Sequence, residues 1–149
     1  ASWLTVHART KADGYAPPAY WEKIQPITEA LKINVIANGE IWNNADAKAC
    51  LQQSHCQDLM IGRGAVTTPD LTLCIRQNKD RAVLSWQDLV ELQQRFLNGQ
   101  FKTEVGMIGR YKQWLGMMTK AYPEAQQLWT QVKRIKQLEQ IIEYLDKSC

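Results

Sequence analysis

The sequence predicts an α/β unit followed by an all-α unit, and three observations carry that expectation. Short apolar, β-branched runs begin near residues 4, 33 and 58 and alternate with helical stretches, which is the signature of a parallel sheet. From about Ser85 onward only helical periodicity remains. The 149 residues, 45% hydrophobic and 22% charged, supply the core of one domain or two small ones and rule out disorder throughout. The boundary is expected in a linker near Asn78 to Val83, dividing residues 1–80 from 81–149.

Leu4-Thr5-Val6-His7 reads as the first strand, followed by a loop over Lys11 to Tyr15 and a helix from about Trp21 to Leu31. Ile33 to Ala37 reads as the second strand, closed by Asn38-Gly39-Glu40. A helix from about Ala45 to Gln53 follows, with Asn43 or Asn44 as its cap. Asp58 to Ile61 is the third strand, closed by Gly62-Arg63-Gly64. Thr68-Pro69-Asp70 then offers a capping hydroxyl, a Pro for the first helical position and an acid for the first turn, so a helix is expected to run to about Gln77.

In the second part, Ser85 and Asp88 have the spacing of a capping box, and Asn98-Gly99 supplies a stop. A second helix is expected over Thr103 to Ala121, with Met107, Ile108, Tyr111, Trp114, Leu115 and Met118 on one face. Pro123 begins a third, and Leu138, Ile141, Ile142 and Leu145 mark a fourth, either separate or continuous with it. Amphipathic helices joined by short loops form a small bundle.

Composition narrows the function. No stretch reaches the roughly 18 apolar residues that a membrane helix needs, and the N-terminus lacks a basic segment followed by an apolar one. A soluble, cytoplasmic protein is expected, with no membrane partner. The chain opens without Met on an apolar run, and is expected to be a piece of something longer. Cys50, Cys56, Cys74 and Cys149 match no zinc or dithiol spacing, and His7 and His55 add no ligand set, so isolated packed thiols and no metal are expected. Residues 1–80 are charge-neutral, whereas Arg95, Lys102, Arg110, Lys112, Lys120, Lys133, Arg134 and Lys136 face only Glu104 and Glu124 between them. That local excess suits either a phosphate-backbone footprint or a solvated helical surface.

Ligands of a parallel sheet meet the carboxyl ends of its strands. Those ends bring His7 and Arg9, then Asn38, Gly39 and Glu40, then Gly62, Arg63 and Gly64 to one rim. Arg9, two residues beyond His7, is expected on the same side of the strand. Gly62-Arg63-Gly64 suits an anion, because glycine admits close backbone approach and Arg63 adds a charge-assisted contact. Paired with Asn38-Gly39, it resembles the phosphate site of the last two loops of a (β/α)8 barrel; the plain alternative is two tight turns. On the second bundle helix, Arg110, Gln113, Met117 and Lys120 form a stripe beside Gly106, Gly109 and Gly116. Close approach of an RNA phosphodiester would explain the glycines, as would packing against another helix.

Taken in order, the blocks Val6-His7-Ala8-Arg9-Thr10, Val35-Ile36-Ala37-Asn38-Gly39-Glu40-Ile41 and Leu59-Met60-Ile61-Gly62-Arg63-Gly64-Ala65 resemble the last three barrel strands of the tRNA-dihydrouridine synthase family. Thr10-Lys11 with Gly14-Tyr15, and Arg110-x-Lys112-Gln113-Trp114-Leu115, are most similar to its C-type branch, which reduces the D-loop uridine at position sixteen. Ala8 departs from the family's usual Gly.

The resemblance implies the last three βα units of a TIM (β/α)8 barrel followed by a helical tRNA-recognition domain. It implies an FMN-dependent reductase using NADPH as reductant and tRNA as substrate. His7, Arg9, Asn38, Gly39 and Glu40 would line the FMN rim, Gly62 and Arg63 would hold its phosphate, and Lys11, Arg110, Lys112, Gln113, Trp114 and Lys120 would meet tRNA. The family's cysteine loop and flavin-contacting lysine match nothing here. No catalytic residue is therefore expected in this chain, which would need the missing N-terminal half of the same protein. The other readings are a helical tRNA-binding module without catalysis and a piece of another flavin- or phosphate-binding barrel oxidoreductase, such as a dihydroorotate dehydrogenase relative.

Overall fold

The computed structural model describes residues 1–14, 16–80, 84–99 and 103–148. Tyr15, the end of the expected linker at Arg81 to Val83, the basic Lys102 and Cys149 lie outside the described residues. The chain divides into two compact units, Ala1–Ala82 and Val83–Cys149.

In the first unit, strands β1 (Trp3–His7), β2 (Asn34–Asn38) and β3 (Asp58–Met60) form a parallel sheet in the order β1-β2-β3. The register pairs His7 with Asn38 and Asn38 with Met60, so the three strand ends lie side by side. Ile24, Val35, Ala37, Ile41, Ala47 and Cys50 form the core between sheet and helices. Both edge strands show apolar surface, at Trp3 and Leu4 on one side and Met60 on the other.

The first expected helix is split into a 3-10 turn over Trp21–Lys23 and helix α1 (Gln25–Ala30). Pro26, which has no N–H to give, sits in the first turn of α1, where that loss is tolerated. Helix α2 (Asn44–Ser54) is capped by Asn43, whose side chain accepts from the Asp46 N–H at 2.8 Å. Asn44 instead turns inward, donating to Asn78 and Asp80.

After β3 the structure departs from expectation. The chain coils at once into α3 (Arg63–Thr67), and α4 (Leu71–Arg76) follows. Thr68 is not the cap of the next helix. Its N–H closes α3 on Gly64, and its carbonyl accepts from Leu71 across a turn that holds Pro69. Pro suits that turn position as well as a first helical one.

The second unit contains α5 (Trp86–Leu97), α6 (Glu104–Met118), α7 (Pro123–Val132) and α8 (Leu138–Asp146). Ser85 and Asp88 form the expected capping box, and Thr103 caps α6. The core is built on Leu89, Tyr111, Leu115, Met118, Leu128, Ile141 and Leu145, all but sealed from solvent. One polar chain crosses it: the Tyr111 hydroxyl donates to Gln93 at 3.0 Å, and Gln93 donates to the Leu89 carbonyl at 3.1 Å. Helices α7 and α8 are separate. Between them the Lys112 ammonium donates to the carbonyls of Lys133 and Ile135, which have left the helical ladder.

Candidate functional site

A cleft of about 430 Å³ opens at the carboxyl ends of the three strands, lined by His7, Asn38, Gly39, Glu40, Ile41, Trp42, Met60, Gly62, Arg63 and Gly64. Its size falls within the range of small-molecule sites. Parallel strands in register deliver His7, Asn38 and Met60. The His7 Nδ1 lies 2.6 Å from Asn38 Oδ1, and Asn38 Nδ2 donates to the Met60 carbonyl at 2.7 Å.

The loop after β2 turns sharply. Gly39 has φ +133°, open to glycine, and a Cβ there would lie 3.2 Å from the Ala8 Cβ. Glu40 follows with φ 50°. Trp21 holds the turn by donating its indole N–H to the Gly39 carbonyl at 2.7 Å. Beside it, Gly64 lets two backbones meet: a Cβ would fall 2.0 Å from the Ile41 carbonyl oxygen. Ala8 is buried with negative φ; its N–H bonds the Asn38 carbonyl at 2.8 Å.

Glu40 is the electrostatic hub. Its Oε1 pairs with Arg63 and lies 3.0 Å from Arg9 Nη2, while Oε2 accepts from the Trp42 indole at 2.9 Å. Burial alone would raise its pKa. The hydrogen bond from Trp42, the close approach of the Arg9 guanidinium and the charges of Arg9 and Arg63 outweigh that, and hold the carboxyl below its ordinary value. Arg63 also stacks over the Trp42 ring at 5.4 Å.

The expectation for Arg9 is corrected. Strand β1 ends at His7, so strand alternation does not extend to residue 9. The Arg9 side chain is fully buried, with Nε donating to the Pro18 carbonyl at 3.1 Å. Its contact with Glu40 is an ion pair by distance but falls short of an aligned hydrogen bond. Arg9 thus supports the rim from beneath and does not line the cleft.

Lys11 is exposed on a turn that Asp13 closes by accepting from the N–H and hydroxyl of Thr10. These hydrogen bonds, the backbone one first, lower the Asp13 pKa. In the second unit, Arg110, Gln113 and Lys120 are exposed, and Trp114 is half-buried with its ring 5.4 Å from that of Phe96. Lys112 is occupied by its two carbonyls, and burial first, then the charge of Lys136, lowers its pKa. The glycines of α6 separate. A Cβ at Gly106 would lie 2.9 Å from the capping hydroxyl of Thr103, one at Gly116 would make an ordinary contact with the Trp129 ring at 3.7 Å, and one at Gly109 would meet nothing within 4 Å.

Cys50, Cys56 and Cys74 are buried and form no disulfide among the described residues. Cys56 lies between α2 and β3 rather than in a helix. Burial pushes the Cys50 thiol up to about 12, which leaves it protonated and unreactive at neutral pH. Among the described residues no helix is long and apolar enough to cross a membrane, and no group of three metal-ligating side chains occurs.

Sequence reasoning missed Trp42, Trp21 and the cleft-lining Met60. Trp42 carried a signal, since it follows the Asn38-Gly39-Glu40 turn by two residues, within reach of that turn's carboxylate.

Residues 1–148 match the family model for dihydrouridine synthase (Dus). The chain belongs to the dihydrouridine synthase family. Among curated members it is similar to three proteins named tRNA-dihydrouridine(16) synthase. That of Shewanella oneidensis is 43% identical over 152 residues, covering 99% of this chain and 47% of the relative. That of Pseudomonas putida is 44% identical over 136 residues, covering 88% and 42%, and that of Haemophilus influenzae 40% over 144 residues, covering 95% and 46%. The chain thus spans a little under half the length of these dihydrouridine synthases.

Proposed function

We propose that this chain is the C-terminal part of an FMN-dependent tRNA-dihydrouridine synthase, acting in the cytoplasm on the D-loop uridine at position sixteen. Its strands are then the last three of a TIM barrel, and its helical unit recognises tRNA. The observation that carries the proposal is the cleft at the strand ends, where His7, Asn38, Gly39, Glu40, Gly62 and Arg63 converge. Two arginines against one carboxylate leave that corner with a net positive charge, suited to a phosphate. Gly62 adds open space, since a Cβ there would meet nothing within 4 Å.

When bound, FMN supplies hydride transfer between NADPH and a uracil ring. Asn38 would orient His7 toward it, Arg63 and the Gly62 backbone would hold its phosphate, and Glu40 with Arg9 holds the rim in shape. The proton donor and the rest of the barrel belong to the N-terminal half. Purified chain with NADPH, FMN and unmodified tRNA is expected to form no dihydrouridine. Adding the N-terminal half in trans is expected to give a yellow, FMN-bound species, and Arg63→Ala to weaken it. A colourless mixture after reconstitution overturns the flavin reading.

For tRNA, Arg110 leads, exposed beside the open Gly109. Arg110→Ala is expected to weaken tRNA binding and lower the salt slope by about one unit. Lys112→Ala is expected to reduce the stability of the α7–α8 turn as well as affinity, because its ammonium caps two carbonyls. A salt series checks both, and a slope unchanged by Arg110→Ala counts against the RNA stripe.

A further inference from the structure

The hydrogen bonds across the three strand ends carry information beyond their existence. A side-chain amide has one acceptor and one donor end, and their assignment follows from the partners. Met60 offers a carbonyl, which can only accept, so the Asn38 Nδ2 must face it. Its Oδ1 is then turned to His7, 2.6 Å from Nδ1. An amide oxygen cannot donate, and Nδ1 must therefore carry the proton. The reversed amide would set oxygen against oxygen at Met60 and lose that bond.

A neutral imidazole has one N–H. With it on Nδ1, the lone pair is left on Nε2, which has no partner among the described residues. His7 lines the cleft, and Gly39, whose Cβ would lie 3.5 Å from His7 Cε1, leaves the ring edge uncovered on that side.

We propose that Asn38 is a positioning residue that fixes His7 in its Nδ1–H tautomer, so that Nε2 meets the ligand as a hydrogen-bond acceptor. The chemistry it selects is a ring N–H at the edge of a heterocycle. This deepens the flavin reading, on which the identity of that heterocycle rests, but the tautomer itself is a property of the chain. Asn38 is anchored on the neighbouring strand through Met60, so the device needs all three strands in register.

The test is the long-range ¹H–¹⁵N spectrum of the full chain, recorded without flavin at a pH where the rings are neutral. The chain has two histidines, and His55, whose Nδ1 lies 3.1 Å from Glu29, reports folding in the same spectrum. Nδ1 of His7 is expected to show a pyrrole-type shift and Nε2 a pyridine-type shift. Asn38→Ala is expected to move His7 to the Nε2–H form that free imidazole favours, with His55 unchanged. Asn38→Asp, which keeps an acceptor oxygen for His7 but loses the bond to the Met60 carbonyl, is expected to restore Nδ1–H. An Nε2–H ring in the unsubstituted chain overturns the proposal, as does an Asn38→Ala variant that keeps Nδ1–H. Because no flavin is present, this outcome is separate from that of the reconstitution.

Discussion

Gly64→Ala is expected to cost the first unit about 3 kcal/mol or more, at the upper end of what overpacking does. The added methyl would stand 2.0 Å from the Ile41 carbonyl oxygen and 2.9 Å from Leu71 Cδ2. The leucine can rotate away, but the carbonyl is backbone on the loop that carries Glu40 and cannot yield without moving the rim. Thermal unfolding followed by tryptophan fluorescence checks this, with the first transition lowered by about 12 °C or more for a unit of this size. The second unit has its own core, so its helical far-ultraviolet signal is expected to persist. A transition temperature equal to that of the unsubstituted chain would show that α3 is not seated against the β2 loop.

Arg9→Leu is the second large effect. It removes a fully buried guanidinium from a carboxylate whose side chain is 16% exposed. Breaking one side of such a pair costs about 3 kcal/mol, moderated here because Arg63 and Trp42 still hold Glu40. The loss depends on pH. The folded Glu40 pKa lies below its ordinary value of 4.5, so its contribution is fully present above that value and disappears as pH falls through the lowered one. The difference between Arg9→Leu and the unsubstituted chain is therefore expected to be largest near neutrality and to shrink below about pH 4. Denaturation in urea at a series of pH values measures it, and a gap that stays constant from neutral to acid removes Glu40 from the explanation.

The features that could be read from the sequence are those whose physics is local. The Ser85–Asp88 box, the Asn43 cap and the glycine turn after β2 depend on neighbours within four residues, and each stands where its spacing puts it. The convergence of the three strand ends followed from the parallel βα pattern alone. What could not be read depends on partners far along the chain. Arg9 reads as a solvent-facing charge until Glu40, 31 residues on, is brought against it. Lys112 reads as a surface cation until the carbonyls after α7 claim it. Helix α3 was hidden because Gly62-Arg63-Gly64 has the composition of a loop, and its glycine answers a clash with Ile41 rather than a turn. Burial of the site's charges was thus the least legible property of the chain.

The contact between Ala8 and Gly39 gives the rim a one-way allowance for change. There is room for one methyl group where β1 and β2 end, and the backbone at residue 39, with φ +133°, disfavours any side chain there. The methyl can therefore belong only to position 8. A chain with glycine at both positions loses a small contact and keeps its shape, whereas moving the methyl across to residue 39 strains the backbone that carries Glu40. Sequence drift at this pair should run between alanine and glycine on β1, while its neighbour on β2 stays fixed.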